Sequence, residues 1–183
     1  MLKSGLALFF GLLLTSLCWM SGGMPAIAQT TSTVTPASAT ASSGEKPLFS
    51  FSGTPPTNLG VKEGKLLECP NTPNCVNSQT PASDSEHSIQ PISYSSTPEQ
   101  ALANLKAVIQ DLPRTKIVSE SGDYVYSEFA TALMGFVDDV EFYLDKSQSV
   151  IHVRSASRLG KSDLGVNRKR VEEIRAKFAA LEA

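Results

Sequence analysis

The sequence predicts an α+β fold: a two-layer sandwich with a mainly antiparallel sheet of about 4–5 strands and two helices packed on one face. Three observations lead there. Four strand-like runs succeed one another between residues 115 and 157, separated by turn-forming residues, so hairpins join them. Amphipathic helical stripes flank these runs, one near residues 97–112 and one near 165–181. Each stripe needs an apolar surface to cover it, and the sheet face supplies one.

Residues 1–28 read as a secretory signal peptide. Met1-Leu2-Lys3 gives a short positive start and an apolar run extends from Leu6 to Leu14. Ala26-Ile27-Ala28 then places small residues three and one before a cut at Gln29. The apolar run falls short of the roughly 20 residues of a spanning helix, so no transmembrane segment is expected after cleavage. The alternative is an uncleaved anchor. Leu17 precedes Cys18 where a lipoprotein signal needs a small residue, so lipidation is not expected. Residues 29–59 are Ser-, Thr- and Pro-rich, without helical or strand period and with few large apolar groups. That is the composition of a disordered linker, with Phe49 and Phe51 as stray aromatics. Residues 60–183 make a single domain, large enough to bury about two-thirds of its unfolded surface.

Loss of the signal removes Cys18 and leaves Cys69 and Cys75. In an exported chain such a pair reads as a disulfide. Prolines 70 and 73 already stiffen the loop, so closure contributes roughly 2 kcal/mol on the chain-entropy model. A redox-active pair is the alternative, against which stand five intervening residues and no thioredoxin-like context. Two Cys and a distant His87 are too few for zinc, and no metal or cofactor is expected.

The run from Ile89 to Tyr94 contains Pro91, which cannot donate to a ladder, so it is an edge strand at best. Thr97 can cap a helix, Pro98 suits its first turn and Gln100 can close a capping box. Leu102, Leu105, Val108, Ile109 and Leu112 line one face, and Pro113 stops the helix. Strands are expected over about residues 115–121, 123–130, 137–144 and 149–157, with turns at 122–123 and 145–148. The last turn sets Leu144 opposite Ser149, Val140 opposite Val153, Phe142 opposite Ile151, Asp139 opposite Arg154 and Glu141 opposite His152. Away from the helices, the sheet would present Tyr124, Tyr126, Glu128, Asp139, Glu141, His152 and Arg154. In the final helix Val171, Ile174, Phe178 and Leu181 form the stripe, with Arg168/Glu172 and Lys169/Glu173 four apart outside.

The chain carries 16 Lys+Arg against 18 Asp+Glu, a formal charge of −2, which argues against a nucleic-acid partner. The balance hides two opposed blocks. Residues 120–145 hold seven acids and no Lys or Arg, whereas residues 154–170 hold six bases and one acid, Asp163. The basic block spans a strand end, a Gly- and Ser-containing loop and a helix start, and free helix amides attract anions. Arg154, Arg158, Lys161, Ser162, Asp163, Asn167 and Arg168 are therefore candidate ligands for a small anion. The alternative is that Asp163 or Asn167 merely caps the helix and the arginines pair with the acidic strands. Arg154 in particular is expected to be consumed by Asp138, Asp139 or Glu141. Gly160-Lys161-Ser162 is not a P-loop tail, since Ser155 stands where its first glycine belongs. No catalytic motif is present. His152 beside Glu141 resembles a base with its orienter, but Ser155 and Ser157 point to the opposite sheet face, and no catalytic residue is assigned.

The strings CPNTPNCVNS, GFVDDVEFYLD and IHVRSASRLGKSDLGVNRKRVEEIR resemble the DUF1499 family, a domain of unknown function, over about residues 66–178. The resemblance implies no activity and no catalytic residues. With the signal and tether, the chain looks similar to exported cyanobacterial-type members, which implies the periplasm or the thylakoid lumen. The expected role is an exported accessory or binding protein, not an enzyme, assisting a membrane or photosynthetic complex. The alternatives are a small-anion-binding module or enzyme using residues 154–170, and a thiol–disulfide role of Cys69 and Cys75.

Overall fold

The computed structural model describes residues 51–183. The expected signal peptide, residues 1–28, and residues 29–50 of the expected linker lie outside the described residues. The elements in chain order are β1 (Cys75–Asn77), β2 (Ile92–Ser93), α1 (Pro98–Asp111), β3 (Thr115–Ser121), β4 (Tyr124–Ala130), β5 (Val137–Asp145), β6 (Val150–Ser157) and α2 (Val166–Leu181). The strands form one open antiparallel sheet in the order β1-β6-β5-β4-β3, and β2 also pairs with β6. The fold is the α+β sandwich expected, with six strands among the described residues.

The additional strand, β1, has no period to read in three residues. It lies beside the Cys69–Cys75 bond, and its Asn77 amide donates to the His87 carbonyl at 2.8 Å. The expected strand at 89–94 shrinks to Ile92–Ser93, since Pro91 brings no amide to the ladder.

Helix α1 begins as its sequence requires: Pro98 opens it and Thr97 Oγ1 accepts from the Gln100 amide at 3.2 Å. The reciprocal half of the capping box is missing, because the Gln100 side chain donates forward to Asn104. Ala101, Leu105, Val108 and Ile109 are buried. Helix α2 starts at Gly165, whose φ of 79° suits glycine. Asp163 serves as its acceptor, taking the Asn167 amide at 2.7 Å and the Gly165 amide at 2.9 Å. Val171, Ile174 and Phe178 reach the core, but Leu181 stays 52% exposed, so the stripe ends one turn earlier than its spacing predicted. There α2 runs past the core, and the next residue, Glu182, bonds the loop before α1.

Both helices lie on one sheet face. Leu105, Val108 and Ile109 of α1 and Val171, Ile174 and Phe178 of α2 join Val125, Phe129, Val140, Phe142, Leu144, Ile151 and Val153 in a single core. The β5–β6 hairpin corrects the expected register. Its loop is residues 146–149, so Asp145 faces Val150, Phe142 faces Val153, Glu141 faces Arg154 and Tyr143 faces His152. The local cause is Asp145, whose Oδ1 accepts from the Ser147 amide and hydroxyl at 2.8 and 2.6 Å. This side-chain turn carries the strand one residue further before it bends, and Ser149 enters β6 at φ 54°. The pairing moves by two residues, an even number, so every side chain keeps its predicted face.

The face away from the helices is partly covered. Gly60 donates its amide to Glu141 at 2.8 Å, the Ser52 carbonyl accepts from Arg158 and the Leu67 carbonyl accepts from Asn77. Residues 51–59, assigned to the linker by composition, thus begin a segment that lies across the sheet. Among the described residues no helix is long and apolar enough to cross a membrane.

Candidate functional site

Strand alternation divides the acidic block between the two faces. Asp139 and Glu141 of β5 point away from the helices, and Asp138 points toward them. All three are buried, at 2% exposure or less. A buried carboxylate needs a charged or hydrogen-bonding partner, and each obtains one from the basic block.

On the outer face, Glu141 accepts from the Tyr124 hydroxyl at 2.9 Å, the Gly60 amide and Arg154 Nη1 at 3.3 Å. Next to it Asp139 takes Arg158 Nε on both oxygens at 3.0 Å and accepts from the Tyr126 hydroxyl. Arg158 Nη2 also donates to Tyr126 and Glu128. Burial, reinforced by Glu141, pushes the Tyr124 phenol well above its ordinary range. Burial and the bond to Asp139 do the same to Tyr126. Both tyrosines therefore stay protonated and act as donors. Asp139, then Glu128, hold Arg158 protonated even more firmly than usual.

On the helix face, Asp138 pairs with Arg170, whose guanidinium lies 5.1 Å from the centre of the Phe129 ring. Arg170 Nη1 also donates to Asn167 Oδ1 at 2.7 Å and Ser155 Oγ at 3.1 Å. Asn167, 1% exposed, gives its amide to the Asn74 carbonyl and Ser157 Oγ. This polar seam joins α2, β6 and the disulfide loop.

The seven residues of the candidate anion site are therefore distributed. Arg154 and Arg158 lie on the outer face, and Asn167 lies between α2 and β6. Arg168 donates to the carbonyls of Ser85, Glu86 and Ser88. Asp163 caps α2, while Lys161 and Ser162 stand exposed in the loop before it. Arg154 is paired with Glu141, as its sequence position suggested. Its Nε is buried without a partner. Tyr126 belongs to these networks on the outer face its strand position predicted, whereas Arg170 and the Asn74 carbonyl stand outside the seven candidate residues. Arg170 stood in the basic block; nothing local marks Asn74.

His152 does not meet Glu141, because the register places it opposite Tyr143, whose ring stacks on it at 6.2 Å. Its Nδ1 lies 3.2 Å from Ser78 Oγ, and burial lowers its pKa against the pull of Asp145. His87 behaves oppositely. Its Nδ1 faces Asp84 at 2.8 Å and its Nε2 faces the Thr72 carbonyl at 3.2 Å. Two acceptors favour the doubly protonated ring, and the Asp84 bond raises its pKa. Thr72 lies inside the loop closed by the 2.03 Å Cys69–Cys75 bond. Among the described residues no group of three or more His, Cys, Asp or Glu is arranged to hold a metal ion.

A second surface is apolar. The loops at residues 131–136 and 159–166 enclose a cleft of about 390 Å³ lined by Phe136, Leu159, Leu164 and Val166. Leu164 is 89% exposed and Leu133, in the first loop, 61%.

Residues 65–178 match the model of one family, described as Protein of unknown function (DUF1499). Comparison with curated proteins and with solved structures gave no match.

Proposed function

Since the chain belongs to the DUF1499 family, whose description names no activity, we propose from its surfaces that it is an exported, non-enzymatic binding protein. It assists a membrane-associated complex, photosynthetic complexes included, in the periplasm or the thylakoid lumen. One observation carries this reading. The charged side chains that could do chemistry are engaged with one another: Arg154 with Glu141, Arg158 with Asp139 and Glu128, and Arg170 with Asp138. An enzyme needs at least one such group held toward a substrate. The Cys69–Cys75 bond supports an oxidising compartment.

The test is affinity capture of the tagged full chain from mildly solubilised membranes at low salt. A reproducibly enriched membrane complex is expected. Recovery of the free protein alone overturns the reading.

A second reading, a small-anion module, is favoured by one observation: Arg154 is 5% exposed, yet its Nε has no partner. A thermal-shift series with phosphate, sulfate and acetate tests it. A rise in Tm that disappears in Arg154→Met supports it, and a flat series eliminates it.

A further inference from the structure

The cleft between the two loops is walled by apolar side chains that stay exposed. Phe136 comes from the loop at residues 131–136, and Leu159, Leu164 and Val166 come from the stretch between β6 and the first residue of α2. Each of the four is at least 38% exposed. Scattered exposed leucines are ordinary, but a set gathered around one cleft marks an interaction surface.

The polar side chains around the cleft are engaged within the domain. Asp138 meets Arg170, and both oxygens of Asp163 accept from amides at the α2 start. Ser157 Oγ accepts from Asn167, and Thr131 Oγ1 accepts from the Phe136 amide at 3.0 Å. None of the described residues lining the cleft is a base. The occupant that fits is therefore apolar and uncharged.

The path of the chain selects which apolar group that is. Phe51 donates its amide to the Met134 carbonyl at 3.3 Å, and its ring centre lies 5.8 Å from that of Phe136. The Ser52 carbonyl accepts from Arg158 Nη1 at 3.3 Å. Gly53, at φ 64°, runs so close to the second loop that a Cβ there would stand 3.1 Å from Leu159 Cγ. Three consecutive residues thus touch both loops that enclose the cleft. The residues before Phe51 lie outside the described residues, but chain geometry bounds their reach. Residues 29–50 contain three large apolar side chains, Val34, Leu48 and Phe49, and two of them adjoin this point of entry. At roughly 3.3–3.6 Å per residue, the Phe49 Cα is within about 7 Å of the Phe51 Cα, and that of Leu48 within about 11 Å. Alternation along an extended chain puts Phe49 on the same side as Phe51, whose ring meets Phe136.

We propose that the cleft is the seat of the chain's own Leu48 and Phe49, docked between the loops at residues 131–136 and 159–166. The folded unit then begins near Pro47 instead of residue 60. An apolar segment of a partner reaches the cleft only by displacing this one. The docking needs neither export nor a partner complex, so it goes beyond the accessory reading and fails separately from it.

The experiment is solution NMR on the full chain with labelled Leu and Val methyl groups and Phe rings. Nuclear Overhauser contacts from the Phe49 ring to the Leu159 and Leu164 methyls are expected. The double variant Leu48→Ser with Phe49→Ser should shift the methyls of Leu159, Leu164 and Val166. It should also speed exchange of the Phe51 and Phe136 amides at least tenfold. The control, Val34→Ser, should leave both within twofold. Unchanged amide shifts in β4 and β5 check that each variant folds. Loop shifts and exchange rates that do not move in the double variant overturn the proposal and leave the cleft to a partner. Contacts between labelled and unlabelled copies in a mixed sample overturn it in favour of a second copy of the chain.

Discussion

Replacing Arg158 separates a structural arginine from a ligand-binding one. Its side chain is 3% exposed and reaches Asp139 through Nε and Nη2, Tyr126 and Glu128 through Nη2, and the Ser52 carbonyl through Nη1. Arg158→Met keeps most of the volume and removes every donor. Asp139, 2% exposed, then keeps only the Tyr126 hydroxyl. Breaking a buried pair from one side costs about 3–5 kcal/mol. Glu128 is 26% exposed and can turn to water, so the lower half of that range, about 3–4 kcal/mol, is expected. With a urea m-value near 1.5 kcal/mol/M the midpoint falls by about 2 M. Arg158→Lys restores the charge without the fork and should recover less than half. Adding Asp139→Asn to Arg158→Met should return at least about 1 kcal/mol, since it removes the stranded charge. Urea melts followed by circular dichroism measure all four proteins. A loss below about 1 kcal/mol in Arg158→Met would refute the structural assignment and hand Arg158 back to a ligand.

Three other predictions follow from single contacts. His87 has a raised folded pKa, so its contribution is whole below the unfolded value near 6.5 and is lost as pH rises through the folded value. Wild-type Tm should therefore fall by about 5 °C more than that of His87→Gln between pH 6 and 9, and parallel curves contradict it. Burial alone would raise the Glu182 carboxyl, but the Ser95 and Ser96 amides, the Ser96 hydroxyl and Asn104 hold it at about 2. Its contribution is present above the unfolded value near 4.5 and fades toward pH 2. Glu182→Gln should cost about 1–2 kcal/mol at pH 7 after screening, and almost nothing at pH 2, in matched urea melts. Cys69→Ser with Cys75→Ser should cost about 2 kcal/mol while leaving the sheet intact by amide exchange. An unfolded double variant would show that the loop organises more than itself.

What the sequence made legible follows the range of each interaction. Helix α1 announced itself because Thr97, Pro98 and its stripe to Leu112 lie within sixteen residues. The sheet faces were legible because alternation survives any even displacement of register. The partners were not, because the β5–β6 pairing depended on whether Asp145 belonged to the strand or the turn. One residue at that bend decided whether Arg154 met Asp139 or Glu141. Strand β1 was hidden because three residues carry no period and its stability comes from β6, about eighty positions away. Leu181 failed for a different reason: helical spacing fixes an angle around the axis and says nothing about where the core ends along it.

The opposed charge blocks were visible as composition, but composition could not say whether they made a site or a clamp. The geometry of β5 explains why they pair as they do. Asp138 and Asp139 are neighbours in a strand, so one must face the helices and the other must face away. A single basic cluster on one face could neutralise only one of them. The basic block answers with three arginines on different elements: Arg154 from β6, Arg158 from the loop after it and Arg170 from the first turns of α2. The distance between them in sequence is what allows them to reach opposite sides of one strand. Read this way, the cationic run from residue 154 to residue 170 is divided because the acids it neutralises are divided, and the bases left for an outside partner are those with no buried acid to meet. Lys161, in the loop after β6, and Lys169, on α2, are both exposed.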